Sequence, residues 1–277
     1  VIIHSSNLPA VVLSWDPNRI YVEHMIRRYA REWPDHPLEF HVPYQNKDRP
    51  VQGARCQMVQ TPPGIVDTVL TLIEGFTDET WVYWCIDDKY PLWLDVPFIN
   101  RLARTIITHS APGLDGVLFC RAGSDRADNR HATRLGAIPS HLECAGLGTL
   151  LLRPDWSRIW IHQFIRVGML RALFAGMPRD LVRAKDMDDA KKRIPLPQGA
   201  VLALTRGSHA VFGESASRGI VTADCVAAMR ELGLDPPAST AAPAWGKKLG
   251  VPVHPSNPLH WISPRFLRAH RAGYTKR

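Results

Sequence analysis

Apolar positions along the chain switch between two periods. Short runs with no helical spacing stand at Ala10–Trp15, Leu38–Val42, Trp81–Ile86, Leu114–Cys120, Gly148–Leu152 and Ala200–Arg206, and each reads as a strand. Stripes spaced three and four apart lie between them. Val22, Met25, Ile26, Tyr29 and Trp33 predict a helix that Pro34 stops; Ile65, Val69, Leu72, Ile73 and Phe76 predict a second. Asp95 is placed to cap a helix carrying Ile99, Leu102, Ala103 and Ile106, and Thr222 to cap one running to Leu232. Trp156, Ile159, Trp160, Phe164, Val167 and Leu170 predict one long helix from Pro154 to about Gly176, and a shorter charged helix covers Asp180–Lys192. Strand-helix alternation with strands apolar throughout predicts an open α/β sheet flanked by helices on both faces, mostly parallel or mixed.

The run WVYWCI is apolar at all six positions and ends in Asp87-Asp88-Lys89. Two adjacent carboxylates at a strand end repel each other, so a counter-charge is expected. In open α/β sheets ligands bind at the carboxyl ends of strands. Paired carboxylates there suit Mn²⁺ or Mg²⁺, which commonly bind one or two carboxylates together with substrate phosphates. A plain surface turn is the alternative. The first strand ends in Ser14-Trp15-Asp16-Pro17-Asn18-Arg19, where Asp16 either caps the next helix or accepts hydrogen bonds from a ligand, and Trp15 either joins the core or stacks on a base.

Composition narrows the setting. Of 277 residues 45% are hydrophobic and 22% charged, enough to bury a full core. No apolar run is long enough to span a bilayer, and VIIHSSNLPAVVLSW lacks the basic start and cleavage site of a signal peptide. Five scattered cysteines without a CxxC pair favour a reducing compartment. The net charge is +8, and seven of those charges lie in residues 236–277, which hold seven prolines and no Asp or Glu. The expected organisation is a catalytic domain over 1–235, with a nucleotide-binding half at about 1–120 and an acceptor half at 121–235, followed by a basic extension. Such a tail suits an anionic partner or plain solvation, and peripheral association with a membrane or anionic lipid is one expectation. The loop Arg121–Arg134, with four arginines and His131, is a further candidate for phosphate or acceptor contact, and the tail's His254 and His260 for metal or phosphate.

Four segments resemble nucleotide-sugar glycosyltransferases of the GT-A fold, closest to bacterial enzymes of capsule or lipopolysaccharide synthesis: SWDPNR, CIDDK, Gly148–Trp156 and Ala184–Asp189. The resemblance implies a cytoplasmic enzyme, either free or peripheral on the inner membrane, that transfers a sugar from a nucleotide donor to a saccharide or lipid-linked saccharide hydroxyl, with inversion favoured. It implies nucleotide contacts at Ser14, Asp16, Arg19, Asp87 and Lys89, metal ligands at Asp87 and Asp88, and a catalytic base among Asp186, Asp188 and Asp189, with Asp186 and Asp188 preferred. Nucleic acid is not an expected partner. The family motif carries acids at its first and third positions. Here Ile86 precedes the pair and Lys89 follows it, so either a metal or Lys89 balances the diphosphate. The acids at 186–189 otherwise complement the helix start or pair with Lys191, Lys192 and Arg193.

Dinucleotide and P-loop glycine patterns are absent. Gly213-Glu214-Ser215-Ala216-Ser217 lacks the last glycine of a nucleophile elbow, and His141-Leu142-Glu143-Cys144 lacks the second half of a zinc deaminase motif. The first loop is not the glycine-rich, basic loop of sugar-nucleotide pyrophosphorylases. Two other classes stay open: a metal-dependent phosphoryl-transfer enzyme or nuclease using the same acids, and a non-enzymatic basic-tailed protein that binds nucleic acid or membrane.

Overall fold

A computed structural model describes residues 7–46, 51, 55–108, 113–120, 141–144, 146–181, 184–205, 209–217 and 220–237. The Arg121–Arg134 loop, His254, His260 and nearly all of the basic extension lie outside these residues.

In chain order the strands are β1 (Leu8–Leu13), β2 (Leu38–Tyr44), β3 (Cys56–Gln60), β4 (Trp81–Ile86), β5 (Lys89–Leu94), β6 (Gly116–Leu118), β7 (His141–Cys144), β8 (Gly148–Arg153), β9 (Gln163–Arg166), β10 (Leu202–Thr205), β11 (Ala210–Glu214), β12 (Ala216–Ser217) and β13 (Ile220–Val221). The helices are α1 (Arg19–Glu32), α2 (Ile65–Leu72), α3 (Val96–Ile107), α4 (Val167–Ala175), α5 (Ala184–Ala190) and α6 (Ala223–Glu231). Among the described residues nine strands form one sheet in the order β3-β2-β1-β4-β9-β6-β10-β8-β7. From β3 to β4 all neighbours are parallel; β9 then runs antiparallel to both β4 and β6, and β8 runs antiparallel to β10 and β7. The expected open, mixed α/β sheet is therefore what forms. Because β9 inserts between β4 and β6, the expected nucleotide and acceptor halves share one continuous sheet.

The all-apolar β4 is buried on both faces. Trp81, Tyr83 and Cys85 join the core under α1 and α3, whereas Val82 and Trp84 join the core under α2 and α4. Successive side chains on a strand point to opposite faces, so a strand covered on both sides has no polar positions to spare. The α1 stripe behaves as expected, with Val22, Met25, Ile26, Tyr29 and Trp33 all buried. Asp95 caps α3 by accepting from the Phe98 N–H, and Thr222 caps α6 by accepting from the Cys225 N–H. No disulfide joins the five cysteines. No helix among the described residues is long and apolar enough to cross a membrane.

The long helix expected from Pro154 does not form. Asp155 accepts the Ser157 N–H at 2.7 Å, a local turn that competes with helix. Arg158 then takes φ 62°, the left-handed region, which an α-helix excludes. Carbonyls that a helix would pair internally are met by side chains instead. Gln163 Nε2 donates to the carbonyls of Arg158, Ile159 and Ile161, Trp84 Nε1 to that of Ile159, and Arg153 to that of Ser157. The segment is thus a tight reversal at 154–162 that leads into β9, with helix only from Val167. Its apolar stripe is still core: Trp156, Ile159, Phe164, Val167 and Leu170 are buried, so they form no membrane-docking face.

Candidate functional site

The pair Asp87-Asp88 occupies a two-residue turn where the chain leaves the central sheet. β4 ends at Ile86, and β5 departs to pair with β11 instead. The turn is held at its backbone on two sides. The Asp87 N–H donates to the Leu13 carbonyl of β1 at 3.2 Å. On the other side Ser215, fully buried, donates its N–H to the Asp88 carbonyl at 2.7 Å and its Oγ–H to the Asp87 carbonyl at 3.2 Å. The near-elbow GESAS therefore serves as the clasp of the carboxylate turn. Its Gly213 is required because it faces Tyr90 across the ladder, where a Cβ would lie 2.5 Å from Tyr90 Cζ.

The two carboxylates differ. Asp87 is buried and its Oδ2 accepts from Ser14 Oγ at 2.6 Å and Asn18 Nδ2 at 3.0 Å. Burial pushes its carboxyl up to about 7, and the neighbouring Asp88 adds to the rise, against the two hydrogen bonds and Lys89. The Asp88 side chain is about half exposed; Oδ2 pairs with Lys89 Nζ at 2.8 Å, while Oδ1 is screened from water and has no hydrogen-bond partner. Lys89 is buried behind this pair, 3.8 Å from Glu214. Burial pulls the lysine down, but Asp88 and Glu214 outweigh it and raise it. The lysine charge is thus spent on the protein's own acids and does not line the cavity in front of them.

That cavity, of about 610 Å³, opens at the carboxyl ends of β1 and β4. Leu13, Ser14, Trp15 and Asn18 form one wall, Ile86, Asp87 and Asp88 the back, Pro63, Gly64, Ile65 and Thr68 at the start of α2 another wall, and Trp160, Arg179 and Leu181 the fourth. Trp15, the last residue of the expected strand, falls two residues beyond the true end of β1 and is 57% exposed, so it is not a core tryptophan. Trp160 comes from the 154–162 reversal. Its indole N–H donates to Asp188 Oδ1 at 3.1 Å, and Lys191 Nζ pairs with the same oxygen at 2.5 Å. Arg179 pairs with Asp67 of α2.

Of the residues singled out in the sequence, Ser14, Asp87 and Asp88 meet at this cavity. Asp16 does not cap α1: its carboxylate accepts the Gln45 and Asn46 N–H groups at 3.1 and 2.7 Å, tying the first loop to the end of β2. Arg19 reinforces that tie through the Pro43 carbonyl at 2.8 Å. Neither Asp186 nor Asp188 of α5 lines the cavity; Asp188 touches its wall through the Trp160 indole. Gln45, Gly64 and Thr68 line the cavity without having stood out, because nothing in their local sequence marks them. The buried His162, which does not line the cavity but meets the Ile86 carbonyl, is likewise unmarked by its local sequence.

Among the described residues no group of three or more His, Cys, Asp or Glu is placed to hold a metal ion. The site nevertheless fits a divalent cation of the Mn²⁺ or Mg²⁺ type. Asp88 offers an acceptor atom without a partner, and such ions complete their shell with water and substrate phosphates. Asp87 fits the role less well, since two donors already occupy its Oδ2.

No family model matches the sequence, and no curated protein does. Among solved structures the fold is similar to a TarS fragment from S. aureus, at 13% identity and TM-score 0.43; the match covers 74% of this chain and 59% of that one. It is similar to 4-diphosphocytidyl-2C-methyl-D-erythritol synthase from Anaerococcus prevotii, at 8% identity, TM-score 0.43 and coverage of 83% and 98%. It is also similar to galactosyltransferase LgtC in complex with donor and acceptor sugar analogues, at 14% identity, TM-score 0.39 and coverage of 96% of both chains. All three TM-scores lie below one half.

Proposed function

We propose that the chain is a glycosyltransferase that moves a sugar from a nucleotide-sugar donor to a saccharide or lipid-linked saccharide hydroxyl. The observation that supports it is the cavity at the carboxyl ends of β1 and β4, where an exposed tryptophan, a helix start and the half-exposed Asp88 carboxylate converge. Each feature suits one part of the donor. Trp15 offers a ring face to a nucleobase. The first turn of α2, with N–H groups left over by helix geometry, suits a phosphate. Asp88 would hold the divalent cation, which would supply positive charge as the nucleoside diphosphate leaves. Asp87 holds Ser14 and Asn18 in place beneath it. With Lys89 turned to Asp88 and Glu214, the cation rather than the lysine balances the diphosphate in this reading.

On the acceptor side Asp188 is the base of an inverting transfer in this proposal. It is the acid of α5 that contacts the cavity wall, and Trp160 and Lys191 orient it. Calorimetric titration with UDP-, GDP- and CMP-sugars in the presence of Mn²⁺ tests the reading. Binding of one donor that Asp88→Ala abolishes is the expected result. Folded protein that binds none of them, or that hydrolyses phosphodiesters without a sugar nucleotide, overturns it.

A further inference from the structure

The ladder on the β9 side of β4 ends at the pair Trp84↔Gln163. Two residues further on, the Ile86 carbonyl lies beyond the reach of that ladder, in the buried base of the carboxylate turn. A buried carbonyl needs a donor. It receives one from a side chain: His162 Nε2 lies 2.9 Å from the Ile86 oxygen. His162 is fully buried, and its Nδ1 lies 2.6 Å from Tyr29 Oη, which in turn lies 2.8 Å from Tyr83 Oη.

The directions of these bonds follow from one fact. A carbonyl oxygen only accepts, so the imidazole proton is on Nε2 and Nδ1 is an acceptor. Tyr29 must then donate to Nδ1, and its oxygen is left to accept from Tyr83. The chain of donors runs Tyr83 to Tyr29 to His162 to the Ile86 carbonyl, one residue before Asp87. It spans α1, β4 and the 154–162 reversal. Burial keeps this imidazole neutral by lowering it to about 4, so the single tautomer persists at physiological pH.

We infer that His162 is a positioning residue for the cation site: through the Ile86 carbonyl it fixes where β4 ends and so where the Asp87-Asp88 turn presents its oxygens. This rests on the cation-site reading given above. The general rule is that the hydrogen-bond partners behind metal-ligating groups set their orientation, and that losing one costs about 10- to 100-fold in affinity. Gln places its amide nitrogen near the position of histidine Nε2 and can donate to the same carbonyl, whereas Phe cannot.

The experiment measures Mn²⁺ affinity by electron paramagnetic resonance on the whole chain, with Mn²⁺ alone and with Mn²⁺ plus UDP, alongside thermal unfolding. His162→Phe is expected to weaken Mn²⁺ binding by about tenfold or more and His162→Gln by less than about threefold. A Phe variant that loses thermal stability yet binds Mn²⁺ like the wild type overturns the inference and leaves His162 an ordinary core residue. Wild type that binds no Mn²⁺ overturns the cation-site reading and the inference with it. Should the Phe variant not fold, Tyr29→Phe removes the donor to Nδ1 and is expected to weaken Mn²⁺ in the same direction by about threefold; an unchanged affinity overturns the inference.

Discussion

Ser14 at the end of β1 donates to Asp87 at the end of β4 across 2.6 Å, joining two parallel neighbours just past the last rung of their ladder. The bond sits inside the protein, on a carboxyl that burial raises to about 7 from an ordinary 3.8. The folded state therefore holds more protons than the unfolded chain between those values, and stability falls as pH rises through that window. Asp87's contribution is complete below about pH 4 and lost above about pH 7. The buried histidines act oppositely: His24, His36 and His162 lie at about 3, 4 and 4, so protonation of the unfolded chain costs stability below 6.5. Comparison with Asp87→Asn, which keeps an acceptor for Ser14 and Asn18, cancels the histidines. The wild-type melting temperature is expected to drop relative to the variant from pH 4 to pH 7; parallel curves across that range contradict the assignment.

Trp15→Ala removes exposed surface, so the melting temperature is expected to change little. Affinity for the nucleotide is expected to fall by about 1–3 kcal/mol, the range for a lost base-aromatic stack. Calorimetry with nucleoside diphosphate and Mn²⁺ reads both numbers against the wild type.

Asp188→Asn keeps an oxygen for the Trp160 indole and removes the basic carboxylate. A loss of about 10²- to 10⁴-fold in kcat with KM little changed is expected for a base. Asp186→Asn, on a different face of α5, is expected to stay within about threefold, since positions two apart on a helix point about 200° from each other, at about 100° per residue. Loss confined to KM in Asp188→Asn would assign that residue to holding Trp160 alone.

Gly213→Ala drives a Cβ into the Tyr90 ring, at 2.5 Å from Cζ. Overpacking of this kind costs about 1–3 kcal/mol, to be read from the denaturant midpoint. Because β11 leads directly into Ser215, whose N–H and hydroxyl hold the two aspartate carbonyls, Mn²⁺ affinity is expected to fall as well.

What the sequence shows best is whatever rests on periodicity within one segment. The α1 stripe, the buried β4, the Asp95 and Thr222 caps and the place of Asp87-Asp88 at a strand end all have local causes, and all are found. The failure at Pro154–Gly176 is instructive because the stripe was real: its residues are buried, but around a reversal rather than along a helix. Besides the local Asp155 turn, what decides against helix is the indole of Trp84, 75 residues back in the chain, taking the Ile159 carbonyl. That is a contact between segments, which no local window of sequence contains. The same is true of Ser215 and His162. Each supports the carboxylate turn from far along the chain, and neither carries a motif.

The insertion of β9 between β4 and β6 also sets an order of assembly. Strands β1 to β4 can align as a parallel unit from the first 86 residues, but the free edge of β4 is closed only by Gln163–Arg166. Until that segment arrives, Trp81-Val82-Tyr83-Trp84-Cys85-Ile86 presents an unpaired edge that is apolar on both sides, the pattern most prone to pairing with another chain. The strand that ends in the carboxylates is thus also the place where a nascent or truncated chain is most exposed to aggregation, and the 154–166 segment is its protection.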